Sequence, residues 1–133
     1  MNHENYQFKP FTGLVISGPQ GSGKTTLAQT IASQYGEFRQ IETGPGCYFD
    51  REVHKALYSE AKTLIINGIP SQDELAVIKS MVTSRTMAVR RPYTETPISR
   101  PSPKIILCTE HADWLPDESR RFEVIQLSQR KSS

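Results

Sequence analysis

Apolar positions fall into short continuous runs separated by amphipathic stretches, a pattern that predicts strands alternating with helices. Gly13-Leu14-Val15-Ile16-Ser17 is apolar and runs into a glycine-rich turn, as a buried strand does. From Lys24 to Tyr35, Leu27, Ile31 and Tyr35 recur at helical spacing, and Gly36 is placed to stop the helix. Phe38 to Glu42 predicts a second strand, broken by Gly44-Pro45-Gly46. Asp50 is expected to cap a helix that buries Val53, Leu57 and Ala61. Thr63 to Asn67 is β-rich and apolar on both faces, as a central parallel strand should be. Ser71-Gln72-Asp73-Glu74 has capping-box spacing and opens a helix turning Leu75, Ile78 and Met81 or Val82 inward.

The texture then changes. Pro92, Pro97, Pro101 and Pro103 crowd one stretch in which only Thr86 to Arg90 has strand character, so a hairpin or extended excursion is expected. Lys104 to Thr109 reads as another buried strand, and Arg121 to Leu127 alternates like a last one. The residues through Pro10 predict a polar, irregular arm, and Ser128 to Ser133 a frayed tail. This order argues for an α/β fold with a mainly parallel sheet. No internal repeat or dividing linker interrupts it.

Composition narrows the class. With 36% hydrophobic and 23% charged residues, the 133-residue chain does not read as disordered. No run approaches the ~20 apolar residues of a spanning helix, and no export signal opens the chain. Cys47 and Cys108 form neither a disulfide framework nor a zinc site, and His3, His54 and His111 lack metal-ligand spacing. A cytoplasmic, reduced setting with no membrane partner is expected. The net charge of +2 does not by itself imply nucleic acid.

Gly18-Pro19-Gln20-Gly21-Ser22-Gly23-Lys24-Thr25 satisfies G-x-x-x-x-G-K-[ST], between a predicted strand and a predicted helix. The glycines let the backbone wrap a polyphosphate, and the helix from Lys24 through Thr26 offers its free amides to the same anion. Lys24 would neutralise the β- and γ-phosphates, and Thr25 would ligate Mg²⁺. ATP and Mg²⁺ are the expected ligands. The chain is accordingly expected to be one three-layer P-loop NTPase domain over residues 1–133, with a core of about residues 12–127.

An Asp at the end of a second parallel strand usually holds Mg²⁺ through water, and a following Glu often polarises the attacking water. Here that strand ends Asn67-Gly68. Asn67 can still hold a metal-bound water but brings no charge. Asp73 and Glu74 follow, although the capping box accounts for Glu74. Glu42 or Asp50 could instead approach from the neighbouring segment.

With these residues in view, the chain resembles the AAA+-like cores of superfamily-3 helicases, most of all phage and plasmid primase–helicases and virulence-associated-E type proteins. The resemblance runs from Thr12 to Leu127 through the phosphate loop, Leu64–Asn67, Ile78-Lys79, Val89-Arg90-Arg91-Pro92-Tyr93, Ile105–Thr109 and Asp117-Glu118-Ser119-Arg120-Arg121-Phe122. It implies a polar sensor at Thr109 or Glu110, where Asn is more usual, and an arginine, Arg120 or Arg121, given to nucleotide at a subunit interface. It also implies a homo-oligomer, a ring being one form, and a role in phage- or plasmid-like DNA replication. The chain departs from the family at Asn67-Gly68, where Asp-Glu is usual, and at Glu110, where Asn is usual.

Lys79, Arg85, Arg90, Arg91, Arg100 and Lys104 make a basic stretch in which Tyr93 offers a ring for base stacking. That combination suits single-stranded DNA, with Arg90, Arg91 and Tyr93 as candidate contacts. Solubility or subunit contacts would account for the same arginines. Three functions therefore stand: an assembling ATPase, a nucleotide-gated scaffold with little hydrolysis, and a small-molecule or nucleoside kinase cued by Asp50.

Overall fold

The computed structural model describes residues 6–44, 46–90, 96–115 and 121–128, with residue 90 described by its backbone alone. Five strands form a parallel sheet: β1 (Gly13–Ser17), β2 (Phe38–Glu42), β3 (Thr63–Asn67), β6 (Lys104–Thr109) and β7 (Phe122–Gln126), in the order β2-β3-β6-β1-β7. Between them run α1 (Lys24–Ser33), α2 (Phe49–Tyr58) and α3 (Gln72–Thr83). A separate antiparallel hairpin joins β4 (Thr86–Arg90) to β5 (Pro97–Pro101). The fold is α/β, with helices on both faces of a parallel sheet, as the alternation predicts.

Strand alternation divides the core in two. Leu14, Ile16, Ile65 and Ile106 pack with Ala28, Ile31 and Ala32 of α1. Val15, Leu64, Ile66, Ile105 and Leu107 turn the other way, onto α2, α3 and Val89 of the hairpin. Such residues are fully buried, each worth about 1.5–3 kcal/mol of transfer free energy.

Local signals match with three corrections. The capping box is present: Glu74 N donates to Ser71 Oγ (3.1 Å) and Ser71 N to Glu74 Oε1 (2.8 Å). Ile78, Met81 and Val82 are buried, whereas Leu75 is half-buried. Asp50, however, does not cap α2. That position belongs to Tyr48, in a left-handed conformation (φ 51°), and Asp50 lies in the first turn, where its charge complements the helix dipole. Helix α1 stops at Ser33, so Tyr35 is not on its buried face.

The third correction concerns the arm, which is irregular but anchored by aromatic packing. Tyr6 and Phe8 meet edge to face (5.0 Å), as do Phe8 and Tyr35 (5.5 Å), and Tyr35 Oη donates to Tyr6 O (2.9 Å). With α1 the one helix on this face among the described residues, these rings cover sheet that would otherwise be wet. Tyr6 Oη also donates to Glu123 Oε2 (2.9 Å), and Lys9 Nζ pairs with Glu123 Oε1 (3.1 Å). No helix among the described residues is long and apolar enough to cross a membrane.

The bonds from Lys9 and Tyr6 hold the Glu123 carboxyl below its ordinary range. A lowered pKa contributes stability above the unfolded-state value, about 4.3, and that contribution is lost as pH falls through the folded-state value. Acidification below about pH 4 is therefore expected to lower the amide protection factors of residues 6–12, taken relative to the intrinsic exchange rate at each pH, and Glu123→Gln to lower them already at pH 7. Arm exchange that Glu123→Gln leaves unchanged at pH 7 would contradict this anchoring.

Candidate functional site

The glycine loop leaves the C-terminal end of β1 between two neighbours. Gly18 N donates to Thr109 O at the end of β6 (3.1 Å), and Leu127 N, just past β7, donates to Ser17 O (2.7 Å). The crossing leaves no room for a side chain: a Cβ on Gly18 would stand 2.7 Å from Leu127 O and 2.9 Å from Ser22 Oγ. Gly21 and Gly23 adopt φ of 80° and 90°, a region costly for other residues, and so curl the loop back over the start of α1.

Gly23 occupies the N-cap of α1, with no side-chain cap and no acid in the first turn. The first amides of that helix therefore lack the usual capping partner, and Lys24 adds a full positive charge at the positive end of the dipole. Lys24 Nζ folds back to donate to Gly18 O (2.5 Å) and Pro19 O (3.2 Å). Ser22 Oγ is buried without a partner among the described residues. Thr25 and Thr26 are exposed on the first turn. Such a donor set fits an anion with several oxygens, and the exposed Thr25 hydroxyl suits a hard cation beside it.

The loop forms one wall of an open cleft of about 630 Å³ along the C-terminal ends of the strands. The other walls carry Glu42, Asn67, Gly68, Thr109 and Glu110. Because β6 lies between β1 and β3, Thr109 sits between the loop and Asn67. Asn67 is paired in register with Glu42 on β2, and its Nδ2 donates to Glu42 Oε1 (3.1 Å). Gly68 has φ of 104°, and a Cβ there would collide with Thr43 Oγ1. In this backbone conformation no carboxylate can stand at position 68.

Thr109 is buried, and its hydroxyl is already engaged. It donates to His111 O (3.0 Å) and accepts from Trp114 Nε1 (3.1 Å). Trp114 thus pins the residue to which the glycine loop is tied, a role that a lone tryptophan in a polar loop does not announce. Beside Thr109, Cys108 Sγ lies 3.9 Å from Lys24 O. Burial pushes this thiol up to about 12; the Lys24 ammonium opposes the shift and the Glu42 carboxylate adds to it.

The predicted residues do not all converge. Residues 18 and 19 lie at the loop's base, residues 20–26 line the cleft, and Asn67 and Thr109 face it from the strand ends. Arg121 is exposed at the start of β7, beside the start of β1 and so at the opposite end of the sheet from the cleft. Asp50 lines a different cleft, with Tyr48, Asp73 and Glu74. Arg91, Tyr93 and Arg120, and the side chain of Arg90, lie outside the described residues. Part of the basic stretch serves the fold: Arg100 pairs with Glu60 (3.1 Å), Lys104 lies over the Tyr35 ring (4.7 Å) and Arg85 over Phe11 (5.9 Å).

The model of the virulence-associated protein E-like domain family matches residues 8–133. No curated protein is a significant match in sequence. Among solved structures, the apo C-terminal region of NrS-1 is similar over 90% of this chain and 30% of its own, with 17% identity and a TM-score of 0.68. JCV helicase, solved with a thiazolopyridine-containing acetamide bound, is similar over 91% of this chain and 37% of its own (18% identity, TM-score 0.61). NtrX from Brucella abortus, solved with ATP, is similar over 95% and 34% (14% identity, TM-score 0.55). The chain spans about a third of the length of each, and identities this low speak to the fold.

The crowding at Gly18 yields a test within the loop. Gly18→Ala is expected to cost about 1–3 kcal/mol of stability by overpacking against Leu127 and Ser22, read as a lower urea midpoint at unchanged m-value. A Gly18→Ala protein as stable as the parent would show that the loop has slack at this crossing.

Proposed function

The chain belongs to the virulence-associated protein E-like domain family and has the fold of superfamily-3 helicase and primase cores, and from that premise we propose that it binds ATP with Mg²⁺ at residues 18–26. The observation that carries the reading is the uncapped start of α1, where, among the described residues, Lys24 Nζ donates to loop carbonyls and is paired with no carboxylate. A triphosphate tail offers that ammonium better acceptors than Gly18 O and Pro19 O. The backbone amides of residues 20–25 would hold the phosphates, and the Thr25 hydroxyl would be a ligand for the cation. Bound Mg²⁺ neutralises charge on the phosphate oxygens.

The position of Arg121 supports a reading in which copies assemble. Arg121 stands at the opposite end of the sheet from its own cleft, and on this reading it, or Arg120, its neighbour in sequence, serves the cleft of a neighbouring copy. A guanidinium fork matches two phosphate oxygens and stays charged at all working pH, so nucleotide bridging two subunits couples occupancy to self-association. On this reading Arg90, Arg91 and Tyr93 contact single-stranded DNA during phage- or plasmid-like replication, while Thr109 and Asn67 position water near the phosphates.

A second reading is favoured by one feature. Asn67 carries no charge and its amide is committed to Glu42, while position 68 admits no carboxylate. Those facts support a nucleotide-gated scaffold that turns over slowly or not at all. A kinase loses its cue, since Asp50 faces another cleft.

Calorimetry with ATP tests the central claim. Lys24→Ala is expected to weaken ATP binding by tenfold or more, about the 1.5–3 kcal/mol of a charge-assisted bond. Unchanged affinity would refute the assignment. Turnover measured with Mg²⁺ at concentrations permitting assembly separates the two readings: hydrolysis abolished by Lys24→Ala selects the ATPase, and tight binding without hydrolysis selects the scaffold.

A further inference from the structure

Asn67 and Gly68 stand where an acid is expected, and the backbone at Gly68 excludes a side chain. Binding Mg²⁺ beside a triphosphate calls for negative charge on the protein side of the cation, which neither residue supplies. Among the described residues two acids line the cleft, Glu42 and Glu110. They differ in how they are held.

Glu42 is the last residue of β2 and the register partner of Asn67 on β3. The Asn67 Nδ2 bond at 3.1 Å fixes one carboxylate oxygen. It leaves the second oxygen of Glu42, and the Oδ1 of Asn67, available as acceptors toward water. Glu110 lies one residue beyond β6 and, exposed like Glu42, has no side-chain bond among the described residues to orient its carboxylate. Glu42 lines the same cleft as Lys24 and Thr25, so its carboxylate and the first turn of α1 face one space.

We propose that the acidic function of this cleft has moved one strand over, so that Glu42, oriented by Asn67, supplies the anionic group for the nucleotide's Mg²⁺ opposite Thr25. Glu42 brings the charge and Asn67 the orientation, two properties that one carboxylate at the end of β3 would combine. Glu42 acts on water bound to the cation, with the amide of Asn67 as its positioning partner. The inference rests on the ATP-binding reading and names the residue that completes its metal site.

The test is binding rather than turnover. A fluorescent ATP analogue is titrated into the full chain in EDTA and then at increasing MgCl₂, for the parent, Glu42→Gln, and Glu42→Gln combined with Asn67→Asp. Glu42→Gln keeps the shape and an acceptor for Asn67 but removes the charge. It is expected to bind analogue in EDTA at least as well as the parent, while the Mg²⁺ concentration for half-maximal enhancement rises about 10- to 100-fold. The double variant returns a carboxylate to the adjacent register position and is expected to recover most of that loss, a rescue that a merely structural role for Glu42 would not give. A Mg²⁺ response unchanged in Glu42→Gln overturns the proposal, as does a response lost in Glu110→Gln and kept in Glu42→Gln. A parent that binds no analogue with or without Mg²⁺ instead overturns the ATP-binding reading beneath it. The two failures are therefore distinct.

Discussion

Everything at the cleft follows from one electrostatic imbalance that the fold cannot relieve from within. Helix α1 begins without a capping side chain, with no acid in its first turn and with a lysine as its first residue. Each choice runs against what stabilises a helix N-terminus. Lys24 answers by folding onto Gly18 O and Pro19 O, which are dipoles rather than charges. A helix built for stability alone would start from an extended Asp or Ser rather than from a left-handed glycine. Retaining the imbalance makes sense where an external anion completes it.

The sheet order determines what else meets that anion. Placing β6 between β1 and β3 brings Thr109 next to the loop and sets Asn67 and Glu42 one and two strands further out. The two bonds that tie the loop down come from different neighbours, Thr109 on one side and Leu127 on the other. The loop is therefore gripped at its base and free at its crest, where Gly21 has open space around it. Rigidity sits where the chain must cross β7, and adaptability where a ligand would be wrapped.

The sequence carried the strands, the glycine loop and the capping box because each is written in adjacent residues. Apolar runs of five or six residues and a Ser-x-x-Glu spacing act over one or two turns of chain. What it could not carry depends on pairs distant along the chain. Glu42 and Asn67 are 25 residues apart and meet only through the β2–β3 register. Trp114 matters because its indole reaches Thr109 across a turn. Asp50 read as a cap because Asp favours that position, but the left-handed backbone at Tyr48 starts α2 two residues earlier. Arg100 and Lys104 read as part of a basic strip because charge is visible in sequence and partners are not, yet Glu60 and the Tyr35 ring hold them.

The arm shows the same rule from the other side. Judged by composition it is a polar leader, since Lys9, Pro10 and Thr12 interrupt its aromatic residues. What decides its structure is how little covers the α1 face of the sheet. Both faces of a five-stranded sheet need cover, and among the described residues α2, α3 and the hairpin share one face while α1 is the one helix on the other. Tyr6 and Phe8, with Tyr35 released by the early end of α1, make up the difference. Glu123 fastens this packing to β7, the strand after which Leu127 bonds Ser17 at the base of the glycine loop. The geometry of the loop thus depends on a strand held from outside by residues more than a hundred positions away in sequence.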